Sequence, residues 1–321
     1  MNRLPQKNLL LTGILLLLFL ANLGFGAVKI DMMEFITTLL QGGNLSHSNI
    51  AQFRLPRTLI ALLVGMMLGL AGALVQGIIR NPLASPDILG VSHGAGLFAV
   101  LCILYLPSFT LVWLPTLAIS GGLLAALILF LLCRGFSQPN KVALLGIALS
   151  GLFAALIDFL MLIHPLQANN AILWLTGSLW GRSWQHLMLL LPFTLLLPYA
   201  LSKSHLLNLI ALGDEKAVSL GSNIKRLKLT GFTTAIVLTS VSVAVCGPLT
   251  FLGLAAPHLA RYIVGGRHQV MLPASMLVGA NILLLADLLA RTIQPPIELP
   301  AGVFTALIGA PYFLYLLLRL R

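Results

Sequence analysis

A handful of ionisable side chains fall inside long apolar runs: Asp158, His258, Arg261, Asp287 and Arg291. Charge is costly in such a setting, so each is expected to have a partner or a task. Asp287 and Arg291 stand four residues apart, the spacing that lets two side chains pair along one helix face. Asp158 has two open readings, the wall of a pathway or a bond to a neighbouring helix. An ion-driven carrier would draw its coupling groups from Asp158, His258 and Asp287. That set is small for the task, which argues against ion coupling and favours energy supplied from outside the chain.

Other chemistries lack their residues. No G-x-x-x-x-G-K-[ST] run is present to cradle a nucleotide phosphate. The seven histidines, His47, His93, His164, His186, His205, His258 and His268, are scattered without zinc spacing or a clear haem pair. No Ser or Cys sits in a nucleophile elbow. Cys102, Cys133 and Cys246 lie far apart, with neither metal nor disulfide spacing. The expectation is no cofactor, no metal, no catalytic residue, and a chain that is not itself an enzyme.

The composition says what surrounds these groups. Of 321 residues, 59% are apolar and 8% charged, where a soluble domain carries about 25% charged residues. Mean hydropathy is +1.00. Surface grows too steeply with size for a water-soluble fold to hide that much apolar area. A soluble enzyme, a disordered chain and a nucleic-acid binder are excluded. A polytopic helical membrane protein remains, with lipid as the partner of most side chains. The net charge of +11 then reads as loop charge that sets orientation.

Ten apolar runs are candidate spans, roughly Leu9–Ala27, Leu59–Ile79, Leu89–Leu106, Leu111–Leu132, Val142–Ile163, Leu187–Leu201, Leu229–Val245, Phe251–Val264, Leu272–Leu289 and Ala301–Leu318. The sixth and eighth are short and hold prolines. The first exceeds a secretory signal's apolar core and is expected to stay uncleaved. An even count puts both termini on one side. With that side cytoplasmic, only Lys29, Arg54, Arg57, Arg182 and Arg291 among the 19 basic residues fall outside, as the positive-inside bias requires. Outside lie Val28–Arg57, with a surface helix expected near Met32–Leu40, and His164–Trp184. Inside, Ser202–Lys228 is the longest polar stretch. There Gly213 and Gly221 bracket a short helix opened by Asp214 and Glu215, acids that suit a helix start. A grip for a cytoplasmic partner and an ordinary ordered loop are both open readings. Gly65, Gly69 and Gly72, and again Gly90 and Gly94, form small-residue faces for close helix packing.

Specific strings then match a family. Phe53-Arg54-Leu55-Pro56-Arg57 leads into the second span. Gln76, Asn81-Pro82-Leu83-Ala84 and Leu89-Gly90-Val91 form the next inner turn. Leu212-Gly213-Asp214-Glu215 with Ser219-Leu220-Gly221 follows. Gly247-Pro248, Phe251-Leu252-Gly253-Leu254, Pro257-His258 and Arg261 mark the passage from span seven to eight. Ala286-Asp287, Ala290-Arg291, Glu298-Leu299-Pro300-Ala301-Gly302 and Gly309-Ala310-Pro311 close the series. In this order they resemble the permease subunits of ABC importers for vitamin B12 and ferric siderophores. Within that family, Asn81–Gly90 and Asn169–Arg182 are similar to the members that import ferric dicitrate.

The resemblance implies an all-α integral membrane fold. It would be a type II ABC importer permease, about ten helices with two inverted four-helix repeats, residues 1–321 forming one polytopic unit. It implies a bacterial inner-membrane protein with both termini cytoplasmic, working with a second permease subunit. The expected pair is a heterodimer with a paralogue, although some family members are homodimers. Two cytoplasmic ATPase subunits and a periplasmic substrate-binding protein complete the assembly, and no nucleic acid is involved. Arg54, Arg57 and Arg291 would dock acidic residues of the binding protein, since guanidinium groups bind carboxylates bidentately; the bland alternative is anchoring to lipid phosphates. Reversing Arg54 and Arg57 to Glu is expected to weaken transport with folding intact. The segment 203–228 would couple to the ATPase through Leu212, Gly213, Asp214, Glu215, Ser219, Leu220 and Gly221. Spans three, five and ten with Asn169, Asn170 and Thr176 would line the pathway, and Asn81 and Leu83 its inner gate. His164 and Arg182 would attract an anionic chelate or simply cap helix ends. Asp158 would repel an anion and is expected to be bonded elsewhere. The substrate expected first is ferric dicitrate. The alternatives are another siderophore, haem, vitamin B12, or an ion-driven secondary carrier.

Overall fold

Lipid offers the backbone no hydrogen-bond partner, so a chain this apolar must satisfy its amides within helices. The computed structural model describes residues 4–26, 50–106, 110–135, 138–219, 221 and 223–319. Among them the regular structure is all helical. The surface helix expected near Met32–Leu40 lies outside the described residues.

The elements are α1 (Leu4–Gly24), α2 (Leu55–Ile79, entered through a π-turn at Ile50–Arg54), α3 (Val91–Tyr105), α4 (Thr110–Leu132), α5 (Pro139–Ile163), α6 (Pro165–Leu175), α7 (Trp184–Leu190), α8 (Leu196–Ser202), α9 (Ser204–Ala211), α10 (Asp214–Ser219), α11 (Ile224–Cys246), α12 (Leu252–Val264), α13 (His268–Thr292) and α14 (Ala301–Arg319). Proline in the first turn, where its missing N–H costs nothing, opens α2, α5 and α6.

Every expected apolar run contains helix, but seven stretches among the described residues are long and apolar enough to cross a membrane. The third, eighth and tenth runs are α3, α12 and α14, of 15, 13 and 19 residues. The sixth is α7 and α8 joined by a tighter 3₁₀ stretch, Leu191–Leu195. Pro192 and Pro198 each withdraw an amide there, and the tighter winding takes up the break.

At the centre is α2, with 20 of its 25 residues buried. It packs on α11, α12 and α13. The glycine stripe explains how closely. A Cβ placed on Gly65 would lie 2.6 Å from Gly279 O, on Gly69 2.3 Å from Ser275 O, and on Gly72 1.8 Å from Gly253 O. Gly94 brings α3 onto Gly121 of α4 in the same way. The neighbours also echo one another: α3 packs on α4 and α5 as α12 packs on α13 and α14, and α4 lies on α11 as α13 lies on α2.

Two ends of the bundle can be told apart. Lys7 at the start of α1 donates to Ile263 O at the end of α12, 2.5 Å. The end of α1 meets the start of α2, where Arg54 Nη1 donates to Leu23 O and Gly24 O at 2.9 and 2.8 Å. Arg80, at the end of α2, is therefore back at the amino-terminal end.

Candidate functional site

At the opposite end, three helices converge on one carboxylate. Asp287, in the last turns of α13, is fully buried. Its Oδ1 accepts from Arg57 Nη2 at 2.8 Å and Nε at 3.0 Å. Its Oδ2 accepts from Arg291 Nη2 at 2.7 Å, the pairing the four-residue spacing implied. Arg57 Nη1 also donates to Glu298 Oε2 at 2.6 Å, and Arg291 to Asn22 Oδ1 of α1. Two guanidinium groups and two carboxylates thus balance inside the protein and join α1, α2, α13 and the segment before α14. Arg54 caps α1, a favourable place for a cation. All three arginines are buried. This geometry speaks against folding staying intact in the Arg54 and Arg57 reversal: Arg57→Glu would set a third carboxylate against Asp287 and Glu298.

Between α3, α5 and α6 lies a cavity of about 310 Å³, lined among others by Asp87, His93, Asp158, Leu175 and Thr250. Ser92 Oγ donates to Asp87 Oδ1 at 2.5 Å. The Asp158 side chain makes no hydrogen bond or ion pair among the described residues, and Asp158 lines this cavity. Within the described residues it is thus not bonded elsewhere, contrary to expectation: it is exposed on α5, which also turns Leu152, Leu156 and Phe159 outward. The expected third and fifth spans meet at the cavity; α14 packs instead on α12 and α13. Asn169 and Asn170 are exposed on α6. Thr176 sits at a backbone junction, where Gly302 N donates to Gly177 O and Ser178 N to Cys246 O at 2.9 and 2.7 Å. A Cβ on Gly302 would meet Thr176 O at 2.0 Å. His164 closes α5 by bonding Leu160 O at 3.1 Å and rests edge-on against Tyr105. Arg182 lies 3.3 Å from His186 Nε2. Burial draws the Arg182 guanidinium below the usual arginine range without discharging it.

At the amino-terminal end, Asn81 folds the turn after α2 by accepting from Leu83 N at 2.9 Å. Leu83 borders a narrow crevice with Leu254, His258, Tyr312 and Phe313. Phe251 heads α12 at φ +64°, rare for a bulky residue, and its ring stands 6.4 Å from Phe313. The helix expected between Gly213 and Gly221 is α10; both glycines take left-handed φ, +105° and +80°. Leu212 just before it and Val218 within it are 56% and 60% exposed, and Glu215 and Ser219 are exposed too. Leu220 lies outside the described residues. Asp214 pairs with Lys228 and Arg80.

A family model described as the FecCD transport family matches residues 14–319. The chain belongs to the FecCD transport family. The resemblance drawn from its motifs is thereby borne out. The Fe(3+) dicitrate transport system permease protein FecD of Escherichia coli is 48% identical over 303 residues, covering 94% of this chain and 95% of that protein. The Fe(3+)-citrate import system permease protein YfmE of Bacillus subtilis is 46% identical over 96% and 93% of the two chains. A metal-chelate type ABC transporter, solved in an inward-facing conformation, superposes with a TM-score of 0.85 at 36% identity, over 98% of this chain and 99% of that one. The family's members are membrane permeases, as the apolar helices here require.

Three partners escaped the motif reading. Glu298 was visible only as part of a string. Lys228 and Arg80 were counted as inner loop charge. Lys228 carries a weak signal, since it falls in the first turns of α11 where a solvated lysine would be ordinary, yet it is 2% exposed.

Proposed function

We propose that the chain is the membrane subunit of an ATP-driven importer for an iron(III) chelate, ferric dicitrate first among them. The observation that carries this is the near full-length identity to FecD, 48% over 94% of the chain. The buried charges support the exclusion of ion coupling: Asp287, Arg57, Arg291 and Glu298 are consumed by each other. The amino-terminal end is assigned to the cytoplasm, and the echoing contacts of α2–α5 and α11–α14 support two inverted repeats. A paralogous permease would complete the pathway beside α5 and the Asp158 cavity. A binding protein would dock at the end holding Arg54, Arg57 and Arg291. In this state Arg57 and Arg291 would have to exchange Asp287 and Glu298 for its carboxylates.

The test is uptake of radioactive iron as its citrate complex in cells lacking only this chain, with hydroxamate chelates, haem and vitamin B12 in parallel. Loss confined to ferric citrate is the expected result. Loss of another substrate alone would keep the permease and overturn the citrate assignment. Loss of import on ATP depletion while the proton gradient persists separates this from a secondary carrier.

The exposed pair Leu212 and Val218, with Glu215 between them, is assigned to the ATPase. Leu212→Asp with Val218→Asp should abolish co-purification of the ATPase and leave the permease in the membrane at its normal level. Retained co-purification would move the contact elsewhere.

A further inference from the structure

We propose that Asp214 is a positioning residue that ties the ATPase-facing helix α10 to the inner turn carrying Asn81 and Leu83; this rests on the importer reading above. Asp214 opens α10, and its two oxygens reach different helices. Oδ2 accepts from Lys228 Nζ, at the start of α11, at 2.6 Å. Oδ1 lies 3.2 Å from Arg80 Nη2, at the end of α2. Lys228 is buried and has no other ion partner among the described residues. Arg80 ends α2 in a left-handed conformation, φ +58°, and the next residue is Asn81.

The two helix ends that Asp214 bridges belong to helices that pack on one another. Gly231 of α11 leaves room for the Ile78 side chain of α2, whose Cδ1 would lie 2.5 Å from an added Cβ, so the two helices pack closely at this level. A second anchor holds the neighbouring helix. Asn208 of α9 accepts from His268 N at 3.0 Å and from its Nδ1 at 2.8 Å, and donates to Gln269 Oε1 at 2.6 Å. Between the anchors stands Gly213, where an added Cβ would touch nothing within 4 Å. So α10 can pivot about Gly213, and its charged link leads to Arg80 and the turn beyond. The Arg80–Asp214 pair is 41% exposed on both sides, and such a pair adds little stability. Its role is transmission, which requires an element that both sites bias.

The test uses the whole transporter in liposomes, with both permeases, ATPase and binding protein loaded with ferric citrate. The readout is ATP hydrolysed per iron imported. Absence of coupled import in the wild type would sink the importer reading rather than this one. Arg80→Gln should raise that ratio about tenfold, the size of an ordinary coupling free energy, with melting temperature and binding-protein docking unchanged. Arg80→Lys should stay close to wild type. Asp214→Asn with Lys228→Gln, which removes both buried-end charges together, should raise the ratio likewise. A wild-type ratio in Arg80→Gln overturns the proposal. So does an equal fall in hydrolysis and import, which is what a purely structural pair would give.

Discussion

Asp287→Ala should cost about 3–5 kcal/mol of stability, the range for breaking a buried ion pair by removing one partner. Arg57 and Arg291 would both lose their shared acceptor, and their guanidinium groups are about 10% and 2% exposed. Glu298 would still hold Arg57, while Arg291 would keep only Asn22. The measurement is the thermal melt of the detergent-purified permease together with its membrane yield. Both should fall sharply. Asp287→Asn keeps one acceptor oxygen and should fall less. A wild-type melt for Asp287→Ala would mean that the cluster does not hold the helices together. The result also bears on docking. Arginines that cannot be spared from the fold can greet an incoming carboxylate only by exchange.

Gly72→Ala should be among the costliest methyl groups to add within a described helix. Its Cβ would sit 1.8 Å from the carbonyl oxygen of Gly253. That atom belongs to backbone in α12, so α2 and α12 must part. Overpacking costs typically about 1–3 kcal/mol, and an obstacle made of backbone places this case at the top. Gly13 is the control, since nothing stands within 4 Å of its added Cβ. There the better helix propensity of alanine should gain up to about 1 kcal/mol. Melts of the two variants beside wild type decide the matter. Equal melts would show that the α2–α12 contact yields.

Local patterns were legible in the sequence and distant pairings were not. The helices announced themselves through apolar runs, and the glycine stripe of α2 through its spacing. Asp287 with Arg291 was readable because four residues make one helix turn. Arg57 with Asp287 was not, because 230 residues separate them and only the folded bundle makes them neighbours. The lengths of α3 and α12 were overestimated for a related reason. Leu89, Gly90 and Phe251 are apolar or small enough to extend a hydropathy run, but Gly90 at φ +77° and Phe251 at φ +64° stop the helix. Hydropathy records what lipid tolerates; it is blind to backbone conformation. Asp158 was misjudged because its setting depends on which face of α5 the rest of the bundle leaves open.

The distance along the chain between Arg57 and Asp287 also has a meaning in time. A ribosome adds about 5–20 residues each second, so α2 enters the membrane roughly 10–50 s before the carboxylate it needs has been made. During that wait Arg57 has no Asp287 or Glu298, and its long stem lets the charged head stay at the bilayer surface. Arg57 stands in the first turn of α2, so the helix can insert while that head waits for α13. A chain cut short before residue 287 would keep that charge without either of its carboxylates.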